Sequence, residues 1–185
     1  MLKQTASQTV GPYFRIGLIN DQEQNNLVQE KTKGERIRLT GTVFDGAGQP
    51  VPDAMIEIWQ PDVNGIFNHK SDPLQAQADP HFHGYGRAEN RNGGVYEFQT
   101  IKPGGRDGRA PFINVTVFAR GMLIHALTRL YFSDEVVNSN DPILSQVEGT
   151  RRSTLIAIRE ESTPPTYHFD IHLQGAQETV FFQPI

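Results

Sequence analysis

Apolar and polar side chains alternate along Ile37, Leu39, Gly41 and Val43, and again from Met55 to Gln60, with Asp45-Gly46-Ala47-Gly48 between the two stretches. A period of two places successive side chains on opposite faces of an extended backbone, so each stretch reads as a half-buried β-strand. The Asp-Gly-Ala-Gly segment predicts a chain reversal, and the pair of strands a hairpin. Pro61-Asp62-Val63-Asn64-Gly65 ends the second strand, because proline lacks the ladder donor and glycine admits a turn. The same alternation returns at Val95–Thr100, Phe112–Ala119, Met122–Tyr131, Thr154–Glu160, Tyr167–Gln174 and Thr179–Phe182. About eight strands follow by this count, and 17 glycines and 12 prolines suit the many turns between them. The fold class expected is all-β, a β-sandwich with its core between two layers.

A chain of 185 residues buries roughly two-thirds of its unfolded surface and makes one substantial core without staples. Residues 1–36 are polar and without period, and Gly11-Pro12-Tyr13 reads as extended. This stretch is expected to be an N-terminal arm and linker, with residues 37–185 forming the sandwich. Segment 68–92 is rich in His, Asp, Pro, Gln and Gly and longer than an ordinary connection, which marks a functional or interfacial loop. Arg120-Gly121 separates two strands so closely that a tight hairpin with Arg120 at its tip is expected. Asp141-Pro142 supplies an N-cap and a first-turn proline, predicting one short helix that stops at Gly149.

The net charge of −4 offers no attraction to nucleic acid or an anionic membrane, and neither is an expected partner. The absence of cysteine excludes disulfides, thiolate metal sites and cysteine nucleophiles. No segment approaches the ~18 apolar residues of a membrane-spanning helix, and the first residues lack the apolar run of a signal peptide, so a cytoplasmic protein is expected. Neither a Gly-x-Ser-x-Gly nucleophile motif nor a glycine-rich phosphate loop before a helix occurs.

Two clusters imitate metal sites. His81, His83 and Tyr85 offer two imidazoles and a phenol, yet spacing supplies no further ligand, and a glycine-rich loop lining an interface accounts for them without a metal. His168, Asp170 and His172 share one strand face, but the outer two lie about 13 Å apart along an extended backbone. A solvated or inter-subunit polar face suits them better than a single ion. Arg120 offers either a guanidinium fork for a carboxylate or simply a solvated charge. Trp59 reads as a packing residue and Glu57 as a polar group on the sheet face. No catalytic and no metal-ligating residue is assigned to the chain.

Taken together, Ser7 to Tyr13, Leu39 to Phe67, Thr100-Ile101-Lys102-Pro103-Gly104, Phe118-Ala119-Arg120-Gly121, Thr128 to Phe132 and Glu178 to Phe182 resemble the intradiol ring-cleavage dioxygenases. The resemblance covers most of the chain and implies an enzyme that opens catechols with ferric iron, held in catalytic chains by two tyrosines and two histidines. It is closest to the alpha, iron-free type of subunit. It therefore implies a hetero-oligomer in which a homologous beta chain holds Fe(III) and this chain completes the pocket for a small catechol. Thr9, Gly11, Pro12, Tyr13 and Arg120 match the positions beside that substrate.

The ligand positions depart from the catalytic pattern. Gly105-Arg106 follows the Lys-Pro-Gly turn where the family carries a tyrosine, the histidine pair falls on Phe112 and Asn114, and the other tyrosine falls near Leu74. Arg109 matches an arginine of catalytic chains but has no catalytic task without iron, and the segment from Pro103 to Pro111 is shortened. Phenyl and alkyl groups do not ligate iron, so the isolated chain is expected to be inactive. Two other readings stay open. A transthyretin-like β-sandwich binding module would satisfy the Gly-x-Val-x-Asp-x-x-Gly-x-Pro-Val strand-turn pattern by itself, and a solitary iron enzyme would use the His81–Tyr85 loop.

Overall fold

The computed structural model of the chain describes residues 6–11, 13–19, 24–90 and 94–183. The alternating stretches become β1 (Arg36–Phe44), β2 (Met55–Trp59), β3 (Tyr85–Glu89), β4 (Val95–Ile101), β5 (Phe112–Phe118), β6 (Ala126–Phe132), β7 (Ile156–Glu160), β8 (Thr166–His168) and β9 (Ile171–His172). Their pairing runs β3-β2-β5-β6-β7-β8-β1-β4, and β9 also joins β1. The corner is β7. It pairs parallel with β6 at its start, Tyr131 with Ile156, and antiparallel with β8 at its end, Ile158 with His168. A strand that changes layers in this way is how a twisted two-layer sheet closes over its core.

That core takes Ile56, Ile58, Val115, Val117, Leu130 and Phe132 from one layer and Leu39, Phe98 and Tyr167 from the other, all buried. Each such side chain contributes about 1.5–3 kcal/mol relative to exposure, and the all-β sandwich expected from the sequence holds. One close approach demands glycine. A Cβ at Gly41 would collide with the Phe169 carbonyl, the group that also accepts the Tyr96 hydroxyl.

Several local expectations are corrected. β1 and β2 form no hairpin, since β1 pairs with β4, β8 and β9 while β2 pairs with β3 and β5. The chain does reverse after β1: Asp45 Oδ1 accepts the amides of Ala47 and Gln49, and Val51 N donates to Val43 O. Pro52 then has no donor to extend that ladder, and the chain passes to the other layer. β3 lies inside the stretch read as loop, because its buried face is made of Gly86 and Ala88, too small to give an apolar signal. The stretch Tyr167–Gln174 is split into β8 and β9, with Asp170 Oδ1 accepting the Thr42 amide in the ladder. Thr179–Phe182 contributes a single bridge, Phe182 to Leu127.

The expected short helix is displaced. Asp141 does accept the amides of Ile143 and Leu144, as an N-cap would, but only 3-10 turns follow, at Leu144–Gln146 and Gly149–Leu155. The buried carboxylate also takes the Ala110 amide and the Tyr131 hydroxyl, so it braces two strand ends rather than capping a helix. The α-helix among the described residues is α1 (Tyr13–Leu18), in the arm read as extended.

The loop after β2 is ordered by carboxylates. Asp62 accepts the amides of Asn64, Ile66 and Asp79, Asp72 those of Phe67 and Leu74, and Asp79 those of Lys33 and His81. Burial alone would raise the Asp72 carboxyl, but the Leu74 and Phe67 amides and the Arg106 guanidinium outweigh it and hold the group below the ordinary range. At Asp79 burial is likewise outweighed, by the Lys33 and His81 amides and the charges of the same residues. A carboxyl depressed on folding contributes stability that is present above its unfolded value, about 3.9, and lost as pH falls through its folded value. Urea unfolding followed down through the carboxylate range is therefore expected to show stability falling on the acid side. Asp79→Asn should be less stable near neutrality and show a shallower acid limb, and an acid limb as steep as that of the wild type would remove Asp79 from this role.

Candidate functional site

β5 ends at Phe118 and β6 begins at Ala126, so the strands are joined by residues 119–125 rather than by a two-residue tip. Gly121 takes a positive φ of 85° in that turn. Arg120 Nε lies 3.1 Å from Asp53 Oδ2, with the carboxylate nearly buried and the Arg120 side chain 59% exposed. The register explains the pair. Met55 opposes Phe118, so the antiparallel continuation carries Asp53 to Arg120. Sequence spacing gives no signal for a contact between residues so far apart in the chain.

The arm reaches the same turn. Gly121 N donates to Thr9 Oγ1 at 2.8 Å, the Phe14 ring lies 5.4 Å from that of Phe118, and Arg87 Nη1 donates to the Leu18 carbonyl. The described part of the arm thus lies on its own sandwich. Gly11 O accepts the Phe14 amide and opens α1, Gly11 faces open space, and Tyr13 is 79% exposed. Pro12 lies outside the described residues. Of the candidate residues, Thr9 and Arg120 are brought together at the turn, and Gly11 and Tyr13 follow on the same segment.

A second locus occupies the outer face of β3-β2-β5-β6. Tyr85, Trp59, Asn114 and Arg129 are direct cross-strand partners and form one rung, with Arg87, Glu57, Thr116 and Leu127 as the next. A cavity of about 690 Å³ lies over them. Glu57 Oε1 accepts Arg87 Nε at 2.8 Å, Arg87 Nη2 at 2.6 Å and the Tyr85 hydroxyl at 2.8 Å. Burial, and then the hydrogen bond to Glu57 and its charge, push the Tyr85 phenol up to about 12. Trp59 stands on this face, 40% exposed, against Phe67 and His69, rather than in the core.

The positions that the family resemblance assigns to iron ligands lie on and beside this face, and the residues there do not fit a cation. Phe112 carries the Arg129 guanidinium over its ring at 3.9 Å, and Asn114 Oδ1 accepts Arg129 Nε at 3.2 Å. Arg106 is tied to Asp72 at 3.1 Å, and Leu74 is a partly exposed alkyl group. A phenyl ring and two permanent cations offer no lone pair, and the cations repel a ferric ion.

The imitated metal clusters are also accounted for. The His81 amide and carbonyl brace the loop through Asp79 and Thr32, Phe82 is buried, and His83 faces the cavity. His168 Nε2 meets Asp170 Oδ1 at 3.1 Å, while the His172 ring stacks on Phe44. Among the described residues no three His, Cys, Asp or Glu side chains converge as a metal site.

A family model described as dioxygenase matches residues 9–175. The chain therefore belongs to the intradiol dioxygenase family. It is 44% identical to the protocatechuate 3,4-dioxygenase alpha chain of Burkholderia cepacia over 98% of both chains. It is also 33% identical to the protocatechuate 3,4-dioxygenase beta chain of the same organism, over 88% of this chain and 74% of that one. Among solved structures, the dioxygenase domain of a dioxygenase and carbohydrate-binding protein fusion from Streptomyces sp. SirexAA-E superposes with a TM-score of 0.66 at 25% identity, covering 94% of this chain and 100% of that domain. A transthyretin-like module does not account for a match of this extent.

The chain on its own is expected to bind no stoichiometric ferric iron and to be colourless. Metal analysis with visible absorption checks this, and one equivalent of iron with a tyrosinate charge-transfer band would overturn it.

Proposed function

We propose that this chain is the alpha, iron-free subunit of a protocatechuate 3,4-dioxygenase. The assembly would convert 3,4-dihydroxybenzoate and O2 to 3-carboxy-cis,cis-muconate, with Fe(III) held by a homologous beta chain. The observation that carries this reading is the joint presence of alpha-chain likeness along the whole sequence and Phe112, Asn114 and Arg106 where ligands would be needed. The likeness to a beta chain supports a paired partner. Exposed apolar groups in the two segments that meet at the β5–β6 turn, Tyr13 and Ile16 on α1 and Leu123 and Ile124 in the turn, suit such an interface. The absence of cysteine suits a cytoplasmic setting.

A ferric ion held by the partner would supply the Lewis-acid chemistry that makes a catechol ring open to dioxygen. This chain's part is binding and enclosure. Asp53 engages Arg120 through Nε and leaves the rest of the guanidinium free to accept the substrate carboxylate as a fork. Thr9 pins the arm to Gly121, and in the assembly Gly11 and Tyr13 of the same segment would serve as a wall beside that fork that excludes water. Neither task moves an electron.

Arg120→Ala is expected to remove a charge-assisted contact of about 1.5–3 kcal/mol where the partner shelters it, and less where water screens it. That corresponds to roughly a 10- to 150-fold loss of kcat/KM on protocatechuate. Catechol, which lacks the carboxylate, should be affected far less. Steady-state assays of the assembled enzyme on both substrates check this, and equal losses on the two would refute carboxylate recognition by Arg120.

A further inference from the structure

Arg87 on β3 holds the arm at two points. Its backbone amide donates to the Gln24 carbonyl at 3.0 Å, and its Nη1 donates to the Leu18 carbonyl at 3.2 Å. Leu18 is the last residue of α1, where a carbonyl has no partner within the helix and a cationic side chain is favoured. With six residues, α1 is too short to persist without packing. The Phe14–Phe118 and Thr9–Gly121 contacts lie at or before its first turn, and Arg87 secures the other end.

The guanidinium is not free to turn. Glu57, directly opposite in the β2–β3 ladder, accepts Nε at 2.8 Å and Nη2 at 2.6 Å, and Nη2 also donates to the Tyr85 hydroxyl at 2.8 Å. A planar fork fixed through two nitrogens has the direction of the third set by its geometry. The Arg87 and Glu57 side chains are only 18% and 20% exposed, so salt and water screen the pair less than they would on open surface. The backbone beside Arg87 is also cleared for the arm. A Cβ at Gly86 would strike Leu27 and crowd the Gln24 carbonyl, and Leu27 packs into the core.

We infer that Glu57 and Arg87 are positioning residues: Glu57 aims the guanidinium, and Arg87 holds α1 and with it the segment of the arm that faces substrate. The catalytic consequence rests on the subunit reading given above, whereas the clamp itself does not. Losing the clamp lowers the fraction of molecules whose arm is in place, which weakens the apparent binding of any catechol, with or without a carboxylate. Arg120, by contrast, acts through the substrate's charge.

Hydrogen exchange read by mass spectrometry, on the assembly in which the chain is isolated, is expected to show the α1 amides protected. Arg87→Ala should lower that protection at least about tenfold, the loss of one charge-assisted bond. The amides of β5 and β6 should be unchanged, and the amide of residue 87 should keep its bond to Gln24. Glu57→Ala should loosen α1 as well, although the hydrogen bonds of Glu57 among the described residues go to Arg87 and Tyr85. Glu57→Gln, whose amide oxygen still accepts the fork, should keep most of the protection. In steady state, Arg87→Ala should hold kcat and raise KM for protocatechuate and catechol by one common factor, no larger than the loss of protection.

Unprotected α1 amides in the wild type, undiminished protection in Arg87→Ala, or a Glu57→Ala that leaves α1 intact would each overturn the clamp. So would a loss spread equally over β2 and β3, the mark of a ladder pair alone, or a KM effect confined to protocatechuate. Should Arg87→Ala fail to assemble, exchange in the wild type and in the two Glu57 variants decides. An assembly that cleaves catechols with α1 protection independent of Arg87 removes the clamp and leaves the subunit reading standing. Arg87-dependent protection in an assembly that cleaves none does the reverse.

Discussion

The ladder between β2 and β5 sets the register on which both the Arg120 turn and the outer-face rung depend. Pairing Met55 with Phe118 turns Ile56, Ile58, Val115 and Val117 inward, and the same pairing brings Trp59 opposite Asn114 on the outer face. Continued past the strand ends, it delivers Asp53 to Arg120. A slip of one residue would reverse every side chain, exposing the core face and dismantling the rung and the turn together. The buried isoleucines and valines hold the register, because the apolar surface they would expose is worth several kcal/mol.

Outside the ladder, buried carboxylates do what strands do elsewhere. Asp62, Asp72, Asp79 and Asp141 each collect backbone amides from segments without regular structure, so donors that a loop would otherwise bury unpaired are satisfied. Gln60 serves similarly between the layers, donating to the Ile101 carbonyl and accepting the Thr100 hydroxyl. The loop after β2 is therefore a rigid platform. It positions Phe67 and His69 against Trp59 and ties Arg106 to Asp72 at the rim of the outer face.

On that face, the guanidinium of Arg129 rests on Phe112 and Asn114, the two positions at which the family resemblance places histidine ligands. A fixed side-chain cation there supplies charge without redox capacity or open coordination positions, which suits binding and not oxidation. The division of labour proposed for the assembly follows from this substitution. On that proposal the chain keeps the fold of its family and contributes recognition rather than oxidation.

The alternation of apolar residues was enough to read an all-β sandwich and most strand positions, because a period of two is a local property that every half-buried strand must display. It failed at β3, where Gly86 and Ala88 face the core without an apolar signature, and at the β1–β2 connection, where a true turn is followed by a change of layer. The N-cap at Asp141 was legible, but not that its carboxylate would be shared with Ala110 and Tyr131. Chemical identity fared in the same way. That Phe112, Asn114 and Arg106 lack the ligands for ferric iron follows from residue type alone, and so does the presence of a guanidinium at position 120. That Asp53 holds Arg120, that Thr9 meets Gly121, and that Arg129 stands over Phe112 were decided by tertiary structure. Each depends on which strands become neighbours and in what register, and pairing between residues distant in sequence is set by the burial of the whole core, not by the residues that pairing brings together.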